Sequence, residues 1–381
     1  MKICGIIVEY NPLHNGHLWQ IQQVKQQLHP DVLIVVMSGN FVQRGDFALL
    51  DKWQRTQMAL DAGVDLVVEL PVYGAVQPAD IFAEEALRLL QQLQVDTLVF
   101  GSEYPKLDYY QLAQQIQQAT NASDQFVDFR NTYATQFNQI IEQKLGMKIT
   151  KPNQLLGLAY AQACLKLSYQ VQLYPLKRNG QAKHNESSLH GKYSSASAIR
   201  QALLAGEDCQ ISLPIAARKI IASSKLYSWN DFFAFLKYRL LTASIAELGE
   251  IYQMNEGLEY KFQHEIVSAV DLSDFLQKSK SKRYTYARLR RLCLYTLLNI
   301  TTEQMQTMRK QRYLHVLGFN WRGQQHLHTI KKNLSMPLIT KVTQKLGNGN
   351  GLMARSVAGD RILNLVGAPE QNFGRQPLIR K

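Results

Sequence analysis

The first 180 residues of the chain alternate short runs of aliphatic and β-branched residues with segments of helical periodicity. The runs predict strands over residues 3–8, 32–37, 64–70, 95–100 and 171–174. The intervening segments predict amphipathic helices over residues 17–28, 52–62, 79–93 and 153–167. Such alternation favours an α/β fold with a Rossmann-like parallel sheet covered by helices. Since parallel strands gather ligand sites at their carboxyl ends, we expect the loops after Val8, Met37 and Phe100 to border one crevice.

Two histidines and a glycine follow the first predicted strand, in the sequence His14-Asn15-Gly16-His17. A helix that begins here offers unpaired backbone N–H groups and a positive dipole end, and both attract phosphate. Histidines three residues apart are neighbours on a helix, so both rings can reach one α-phosphate, while Gly16 leaves room for the ligand. The pattern predicts a site for splitting a nucleoside triphosphate. The alternative is a turn shaped only by Pro12 and Gly16.

The four cysteines argue against a zinc centre or a disulfide scaffold. Cys4, Cys164, Cys209 and Cys293 are dispersed and form no CxxC pair, whereas zinc sites need clustered donors. Dispersed cysteines suit a reducing cytoplasm. The apolar run at the N terminus meets Glu9 too early for a signal peptide, and no segment has the ~18 apolar residues of a membrane span. We therefore expect a cytoplasmic protein with no membrane association.

A second candidate phosphate site is the stretch Ser194-Ser195-Ala196-Ser197-Ala198-Ile199-Arg200, which opens a helix predicted over residues 196–205. Hydroxyl caps and free N–H groups at a helix N terminus can hold phosphate, and an arginine lies about one turn into this helix. Serines are also ordinary N-cap residues. The functional interpretation of this stretch therefore depends on its pairing with the histidine motif.

Charge is distributed unevenly along the chain. Residues 1–190 hold 15 basic and 17 acidic residues, whereas residues 191–381 hold 28 basic and 13 acidic residues. From about residue 214 helical periodicity dominates, with helices predicted over residues 229–241, 245–252, 258–270, 272–277 and 284–298. We therefore predict a catalytic domain over residues 1–212 and a basic, mainly α-helical domain over residues 213–381 that binds a polyanion. The alternative is a solvated helical surface with surplus charge.

Seven cations fall within residues 278–291, with no acidic residue among them. They are Lys278, Lys280, Lys282, Arg283, Arg288, Arg290 and Arg291. Tyr284 and Tyr286 are interleaved with these cations. Because cations bind phosphates and tyrosine rings stack on bases, the stretch predicts an RNA-binding face. Leu289 and Leu292 form part of an apolar stripe on the same segment, which leaves open that these tyrosines pack in a core.

Three strings of residues carry a resemblance to a known family. They are G-I-I-V-E-Y-N-P-L-H-N-G-H at 5–17, S-G-N-F-V-Q-R-G at 38–45 and K-R-Y-T-Y-A-R-L at 282–289. Together with the serine–arginine stretch they resemble the bacterial tRNA(Met) cytidine acetate ligases, within the HIGH-type nucleotidylyltransferases, as far as about residue 320. The resemblance implies that ATP activates acetate as acetyl-adenylate. The acetyl group would then pass to N4 of the wobble cytidine of elongator tRNA(Met).

The resemblance also implies which residues contact ATP. They are Ile7, Val8, Glu9, Tyr10, Asn11, Pro12, Leu13, His14, Asn15, Gly16, His17, Leu18, Trp19, Gln20, Gly101, Asn153 and Arg178. Ser197 and Arg200 fit the role of holding the departing pyrophosphate. We assign His14 and His17 as catalytic residues that stabilise charge on the α-phosphate. Mg²⁺ is expected to accompany ATP, and Glu69 is a candidate for placing it, with structural capping as the alternative.

Further contacts are expected for the ion, the acyl group and the RNA. Asp80 is a second candidate for placing Mg²⁺, and the loop at 38–45 could lie over the acyl substrate. We assign tRNA contact to Lys282, Arg283, Tyr284, Arg288 and Arg291. The expected partners are therefore tRNA(Met) and acetate, and nothing implies a protein partner.

Two other functions share parts of this pattern. A small-molecule nucleotidylyltransferase that forms a nucleotide cofactor would use the same HxGH chemistry but would not need a basic helical half. An RNA-binding scaffold could retain the same pocket without activity. ATP–pyrophosphate exchange separates these hypotheses, since a ligase needs acetate, a cofactor-forming enzyme needs a phosphorylated metabolite, and a scaffold shows no exchange.

Overall fold

A seven-strand path forms the central sheet of the protein. The computed structural model describes residues 1–121, 142, 151–177, 189 and 191–381. The strands are β1 (Ile3–Val8), β2 (Val32–Ser38), β3 (Phe41–Val42), β4 (Asp46–Phe47), β5 (Leu66–Leu70), β6 (Thr97–Ser102), β7 (Gln172–Lys177), β8 (Leu314–Asn320), β9 (Leu338–Ile339) and β10 (Leu378–Arg380). Their order is β10-β8-β5-β2-β1-β6-β7, with β9 beside β8. Strands β3 and β4 form a separate hairpin.

Helices cover both faces of the sheet and form a bundle beside it. They are α1 (Asn15–Leu28), α2 (Lys52–Asp61), α3 (Val72–Ala75), α4 (Ala79–Gln92), α5 (Tyr109–Asn121), α6 (Pro152–Leu167), α7 (Ala196–Ala205), α8 (Ile215–Ala222), α9 (Trp229–Thr242), α10 (Ile245–Glu250), α11 (Leu258–Ser268), α12 (Leu272–Ser279), α13 (Tyr286–Leu297), α14 (Thr302–Lys310), α15 (Trp321–Ile330), α16 (Gln344–Gly347) and α17 (Ala354–Asp360). Within the described ranges, no helix combines the length and apolar character needed to cross a bilayer.

The predicted parallel sheet is confirmed for strands β5, β2, β1, β6 and β7. All seven residues of β2, V-L-I-V-V-M-S, are buried, as expected for a strand covered on both faces. One face packs against α1, α2 and α7, and the other packs against α4 and α6. The carboxyl ends of β1 and β6 therefore meet at one edge of the sheet, where the histidine motif begins.

The C-terminal part of the chain is not helical throughout. Helices fill residues 215–310, as predicted, but the chain then returns to the sheet. Strand β8 pairs antiparallel with β5, and β10 pairs parallel with β8. The region predicted as a helical domain over residues 213–381 therefore completes the sheet of residues 1–212. The run L-H-V-L-G-F-N of β8 was missed because it contains a histidine and a glycine and follows strong helical periodicity.

A buried ion cluster joins the returning chain to the sheet. The ammonium of Lys52 lies 3.0 Å from Glu69 Oε2 and 2.7 Å from Asp360 Oδ2. It also donates to Asn372 Oδ1 at 3.1 Å, while His315 Nδ1 donates to Glu69 Oε2 at 2.5 Å. These five side chains are all buried. Glu69 is thus occupied in a structural cluster, which does not fit the expectation that it places Mg²⁺.

Candidate active site

A cavity of about 490 Å³ opens at the carboxyl ends of β1 and β6. This volume is in the range of pockets that hold small molecules. Its walls come from the segment after β1, the N termini of α1 and α7, and residues of α4 and α6. The two motifs predicted to bind phosphate, which lie some 180 residues apart in the sequence, therefore border the same cavity.

The histidine pair is built into the start of α1. His14 is the N-cap residue, and its Nδ1 accepts the N–H of Gly16 at 3.0 Å, while Nδ1 of His17 accepts the N–H of His14 at 3.4 Å. The two rings stack with their centroids 3.8 Å apart. Because each Nδ1 accepts a hydrogen bond, the neutral rings carry their hydrogen on Nε2. Each neutral ring is therefore a donor at Nε2, and both rings border the cavity at the N terminus of α1.

Glycine at position 16 is required by this arrangement. A Cβ there would lie 2.9 Å from Cε1 and 3.0 Å from Nδ1 of His14, so it would push the ring out of its place. Gly16 also lines the cavity. Gly16 therefore does keep space open, as expected from the sequence. The first group that an added Cβ would meet is the ring of His14.

The start of α7 faces the same cavity from the other side. Ser195 is the N-cap residue, and its hydroxyl accepts the N–H of Ala198 at 3.0 Å. Arg200 donates to the carbonyl oxygen of Asn11 at 2.8 Å and lies 3.3 Å from the hydroxyl of Ser197. Arg200 thus ties α7 to the segment that leads into α1. Two helix N termini and one guanidinium converge here, as binding of a polyphosphate demands.

One part of the remaining wall is apolar. Phe82 of α4, Phe100 of β6 and Leu156 and Tyr160 of α6 line the cavity, and Gly101 lies beside Phe100. Burial raises the pKa of Tyr160 well above its ordinary value, so its hydroxyl stays neutral. A flat apolar wall next to phosphate-binding groups suits the base and ribose of a nucleotide.

Comparison with known proteins identifies the family. A model of the HIGH nucleotidyl transferase family matches residues 1–376. A protein named tRNA(Met) cytidine acetate ligase from Latilactobacillus sakei is 47% identical over 100% of this chain and 98% of its own length. One of the same name from Lactobacillus gasseri is 44% identical over 99% of each. The chain belongs to the tRNA(Met) cytidine acetate ligase family. Its membership of the HIGH nucleotidyl transferases is shown by the family model.

Solved structures in this family share the whole fold. The crystal structure of apo Thermotoga maritima TmcAL superposes with a TM-score of 0.89, at 27% identity, over 100% of this chain and 99% of that one. A T. maritima TmcAL structure with bound alpha-thio ATP gives a TM-score of 0.86 over the same shares. The T. maritima protein therefore holds an ATP analogue on a fold like that of this family member.

Most of the residues predicted to bind ATP border the cavity. They are Ile7, Val8, Glu9, Tyr10, Asn11, His14, Gly16, His17, Trp19, Gln20, Gly101, Asn153, Ser197 and Arg200. The structure does not place Pro12, Leu13 and Leu18 in its walls. Asn15 instead donates to the carbonyl oxygens of Lys192 and Ile211, which holds the segment before α7 against α1. Arg178 lies outside the described residues.

Sequence reasoning gave no role in the cavity to several residues of its wall. The aromatic and aliphatic residues of α4 and α6 carry an apolar periodicity that does not distinguish a cavity wall from a core. Gln43 and Arg44 also line the cavity. The string at 38–45 had drawn attention to their loop, although it did not single them out. Capping of α6 was the alternative role for Asn153, but its amide donates to Glu103 at 2.7 Å, and the N-cap position is that of Lys151.

The β3–β4 hairpin joins the cavity to the helical bundle. Its turn carries Gln43 and Arg44 into the cavity wall, while its far side packs on α9 and α13. Trp229 donates to the carbonyl oxygen of Gly45 at 3.0 Å, and Arg290 pairs with Asp46 at 2.8 Å. Helix α13, which carries part of the basic stretch, is thus in direct contact with an element of the candidate active site.

Replacing Gly45 by alanine should detach the hairpin from α13. Gly45 has φ +79°, and a Cβ would lie 2.4 Å from the backbone nitrogen of Arg291. The backbone strain alone costs about 1–2 kcal/mol, and the clash with helix backbone forces the hairpin to move. We expect acetyl transfer to tRNA to fall at least about tenfold further than ATP–pyrophosphate exchange. The matched control is Gly367→Ala, at φ +87° with no atom within 4 Å of the added Cβ. If both substitutions changed the ratio of acetyl transfer to ATP–pyrophosphate exchange equally, the contact of the hairpin with α13 would not be needed for transfer.

The basic stretch presents only part of its charge to solvent. Lys282, Arg283 and Tyr286 are exposed, and Arg288 is half-buried with its guanidinium 4.6 Å above the ring of Tyr284. Tyr284 is buried, and its hydroxyl donates to Glu256 at 2.6 Å. Arg291 is also buried. Neither side chain is exposed, with Tyr284 just before α13 and Arg291 within it, and their contact with tRNA stays a prediction.

Proposed function

We propose that this protein is a tRNA(Met) cytidine acetate ligase, which activates acetate with ATP and acetylates N4 of the wobble cytidine. The observation that supports it most is the pair of stacked imidazoles facing Ser197 and Arg200 across one cavity. Such an arrangement suits charge that grows on an α-phosphate while pyrophosphate departs. The names of full-length relatives at 44–47% identity give the same activity.

In the first half-reaction, a carboxylate oxygen of acetate attacks the α-phosphorus of ATP, and the bond to the bridging oxygen of pyrophosphate breaks. Nε2–H groups of His14 and His17 stabilise the α-phosphate oxygens. Arg200 and the N terminus of α7 hold the departing pyrophosphate. The apolar wall holds the adenosine. We expect Mg²⁺ to enter with ATP on its phosphate oxygens and water, since the described residues contain no cluster of three metal-ligating side chains.

In the second half-reaction, the cytosine amine attacks the acetyl carbon and AMP leaves. The amine is a weak nucleophile because its lone pair is delocalised into the ring, so positioning supplies much of the rate. ATP and tRNA are cytoplasmic substrates, and we place the reaction in the cytoplasm. The helical bundle of residues 215–310, which carries the basic stretch and contacts the β3–β4 hairpin, is the proposed tRNA-binding region.

The alternative of a small-molecule nucleotidylyltransferase is tested by the same exchange assay. Acetate-dependent incorporation of labelled pyrophosphate into ATP supports the ligase. Exchange that needs a phosphorylated metabolite and ignores acetate would instead support a cofactor-forming enzyme. Mass spectrometry of tRNA from a strain without this protein completes the test, since the proposal requires the loss of N4-acetylcytidine from tRNA(Met).

Charge reversal on the basic stretch should separate the two half-reactions. In the variant Lys282→Glu/Arg283→Glu/Arg288→Glu, tRNA affinity should fall at least about 100-fold, because several phosphate contacts become repulsive. ATP–pyrophosphate exchange should stay within about twofold, since these residues lie outside the cavity. The matched control is Lys331→Glu/Lys332→Glu/Lys341→Glu, which reverses three exposed charges elsewhere. Filter binding of a tRNA(Met) transcript at two salt concentrations measures the effect, and wild-type affinity in the first variant would rule out this surface.

A further inference from the structure

Acetyl transfer to the cytosine amine releases a proton, and the cavity must provide an acceptor for it. His14 and His17 use Nδ1 to accept backbone N–H groups, so the hydrogen of each neutral ring is on Nε2 and the ring has no lone pair open to a further proton. Arginines cannot take up a proton at neutral pH. Among the described residues that line the cavity, Glu9 is the one carboxylate.

Glu9 is held in position by its neighbours. Its carbonyl oxygen accepts a hydrogen bond from the buried guanidinium of Arg55 at 2.7 Å. Its Oε1 accepts the N–H of Gln43 at 2.8 Å. Within the part of the chain that the structure describes, no side chain or N–H donates to Oε2. The carboxylate therefore has a fixed direction and one oxygen available to a substrate.

Glu9 also lies on the side of the cavity from which RNA would arrive. Gln43 belongs to the turn of the β3–β4 hairpin, and the hairpin packs on α13 through Gly45 and through the ion pair of Asp46 with Arg290. A chain of contacts through the hairpin therefore links α13 to Glu9. Arg200 of α7 is also close enough to Glu9 for its charge to lower the pKa of the carboxyl.

We propose that Glu9 is the general base of the second half-reaction, an inference that rests on the proposed ligase function. The amine nitrogen N4 forms a bond to the acetyl carbon, and the bond from that carbon to the oxygen of AMP breaks, with the electron pair leaving on AMP. One N4 hydrogen passes as a proton to Oε2 of Glu9, which later releases it to water.

The surroundings of Glu9 suit this task. Burial raises the pKa of its carboxyl, opposed by the N–H of Gln43 and by the charges of Arg200 and Arg44. Asp46 of the hairpin raises the pKa further. Arg55 and Tyr160 are the other titratable groups that interact with it. A carboxylate whose pKa is raised toward the neutral range is a stronger base than an ordinary carboxylate, and it can still release the proton to water afterwards.

Glu9→Gln tests the proposal with little structural disturbance. The amide oxygen of glutamine can still accept the N–H of Gln43, so the hairpin keeps its anchor, but the side chain cannot accept a proton. Acetyl-adenylate and a tRNA(Met) transcript are supplied directly, which bypasses the first half-reaction. We expect single-turnover acetyl transfer to fall about 100-fold or more. In the wild type, transfer should rise with pH through the pKa of Glu9 and then level off, whereas the variant should lack this rise.

Two further measurements decide the interpretation. Glu9→Asp retains a carboxylate and should recover a substantial part of the transfer rate and the pH-dependent rise. Transfer by Glu9→Gln within threefold of wild type, or an unchanged pH profile, would overturn the assignment. An acetyl-transfer rate in Glu9→Asp that is as low as in Glu9→Gln would also overturn the assignment. Absence of acetate-dependent ATP–pyrophosphate exchange in the wild-type protein would instead overturn the proposed function, so the two failures are distinguishable.

Discussion

Replacement of His17 by glutamine should lower acetate-dependent ATP–pyrophosphate exchange by about 100- to 1,000-fold, the usual loss when one donor to a transition-state oxyanion is removed. The choice of glutamine follows from the structure. His17 is the third residue of α1 and accepts the N–H of the N-cap residue His14. Glutamine at this position makes the same capping hydrogen bond, so α1 keeps its start while the imidazole is lost. Exchange of labelled pyrophosphate into ATP gives the rate.

Three controls accompany this measurement. His328→Gln removes an exposed imidazole outside the cavity and should leave exchange unchanged. His17→Ala loses both ring and cap, and should cost about 1 kcal/mol more in stability than His17→Gln. Affinity for the tRNA(Met) transcript should stay at the wild-type level in all three proteins. If His17→Gln retains exchange within threefold, the histidine pair is not the catalytic group.

Replacing Glu69 by glutamine should lower the free energy of unfolding at pH 7 by about 3–5 kcal/mol, because it removes one anionic partner of the buried ammonium of Lys52 and the carboxylate that accepts from His315. Urea unfolding followed by circular dichroism gives this value. Glu247→Gln is the matched control. Like Glu69, Glu247 lies near a basic residue, here Arg239, but it is exposed, and glutamine preserves the hydrogen bonds by which it caps α10. A similar small effect of both substitutions would contradict the structural role of the cluster.

The cluster also predicts how stability depends on acid. Burial alone would raise the pKa of Glu69, but the charge of Lys52 and the hydrogen bond from His315 outweigh it and lower the pKa to about 2. A carboxyl with a lowered folded-state pKa contributes stability that is present above its unfolded pKa, near 4.3. That contribution is lost as the pH falls toward the folded value. The stability difference between wild type and Glu69→Gln should therefore shrink below about pH 4.

The sequence predicted the parts of the fold that depend on local periodicity. Strands β1, β2, β5, β6 and β7 were each predicted to within a few residues, as were the helices between them. Strand β8 was missed because its burial depends on a partner far along the chain. His315 can be buried in β8 only because it donates to Glu69, 246 residues earlier. No local pattern reports such a pairing, and for that reason the chain's return to the sheet was not foreseen.

The candidate site also has a part that the sequence predicted and a part that it did not. Helix N termini with histidine, serine and arginine are recognisable locally, and the structure brings His14, His17, Ser197 and Arg200 to one cavity. Burial is a property of packing between elements, and the sequence therefore did not settle whether Tyr284 and Arg291 are buried. The role of the β3–β4 hairpin depends on contacts between segments some 240 residues apart, such as that of Arg290 with Asp46.

The most direct test of this account is ATP–pyrophosphate exchange by the purified protein with and without acetate, before any RNA is added. The account predicts exchange that requires acetate and is lost in His17→Gln. It also predicts that added tRNA(Met) then acquires one acetyl group at the wobble cytidine, detected by mass spectrometry. Exchange that ignores acetate, or acetyl transfer that survives the loss of the imidazole, would contradict the central claim that this cavity makes acetyl-adenylate.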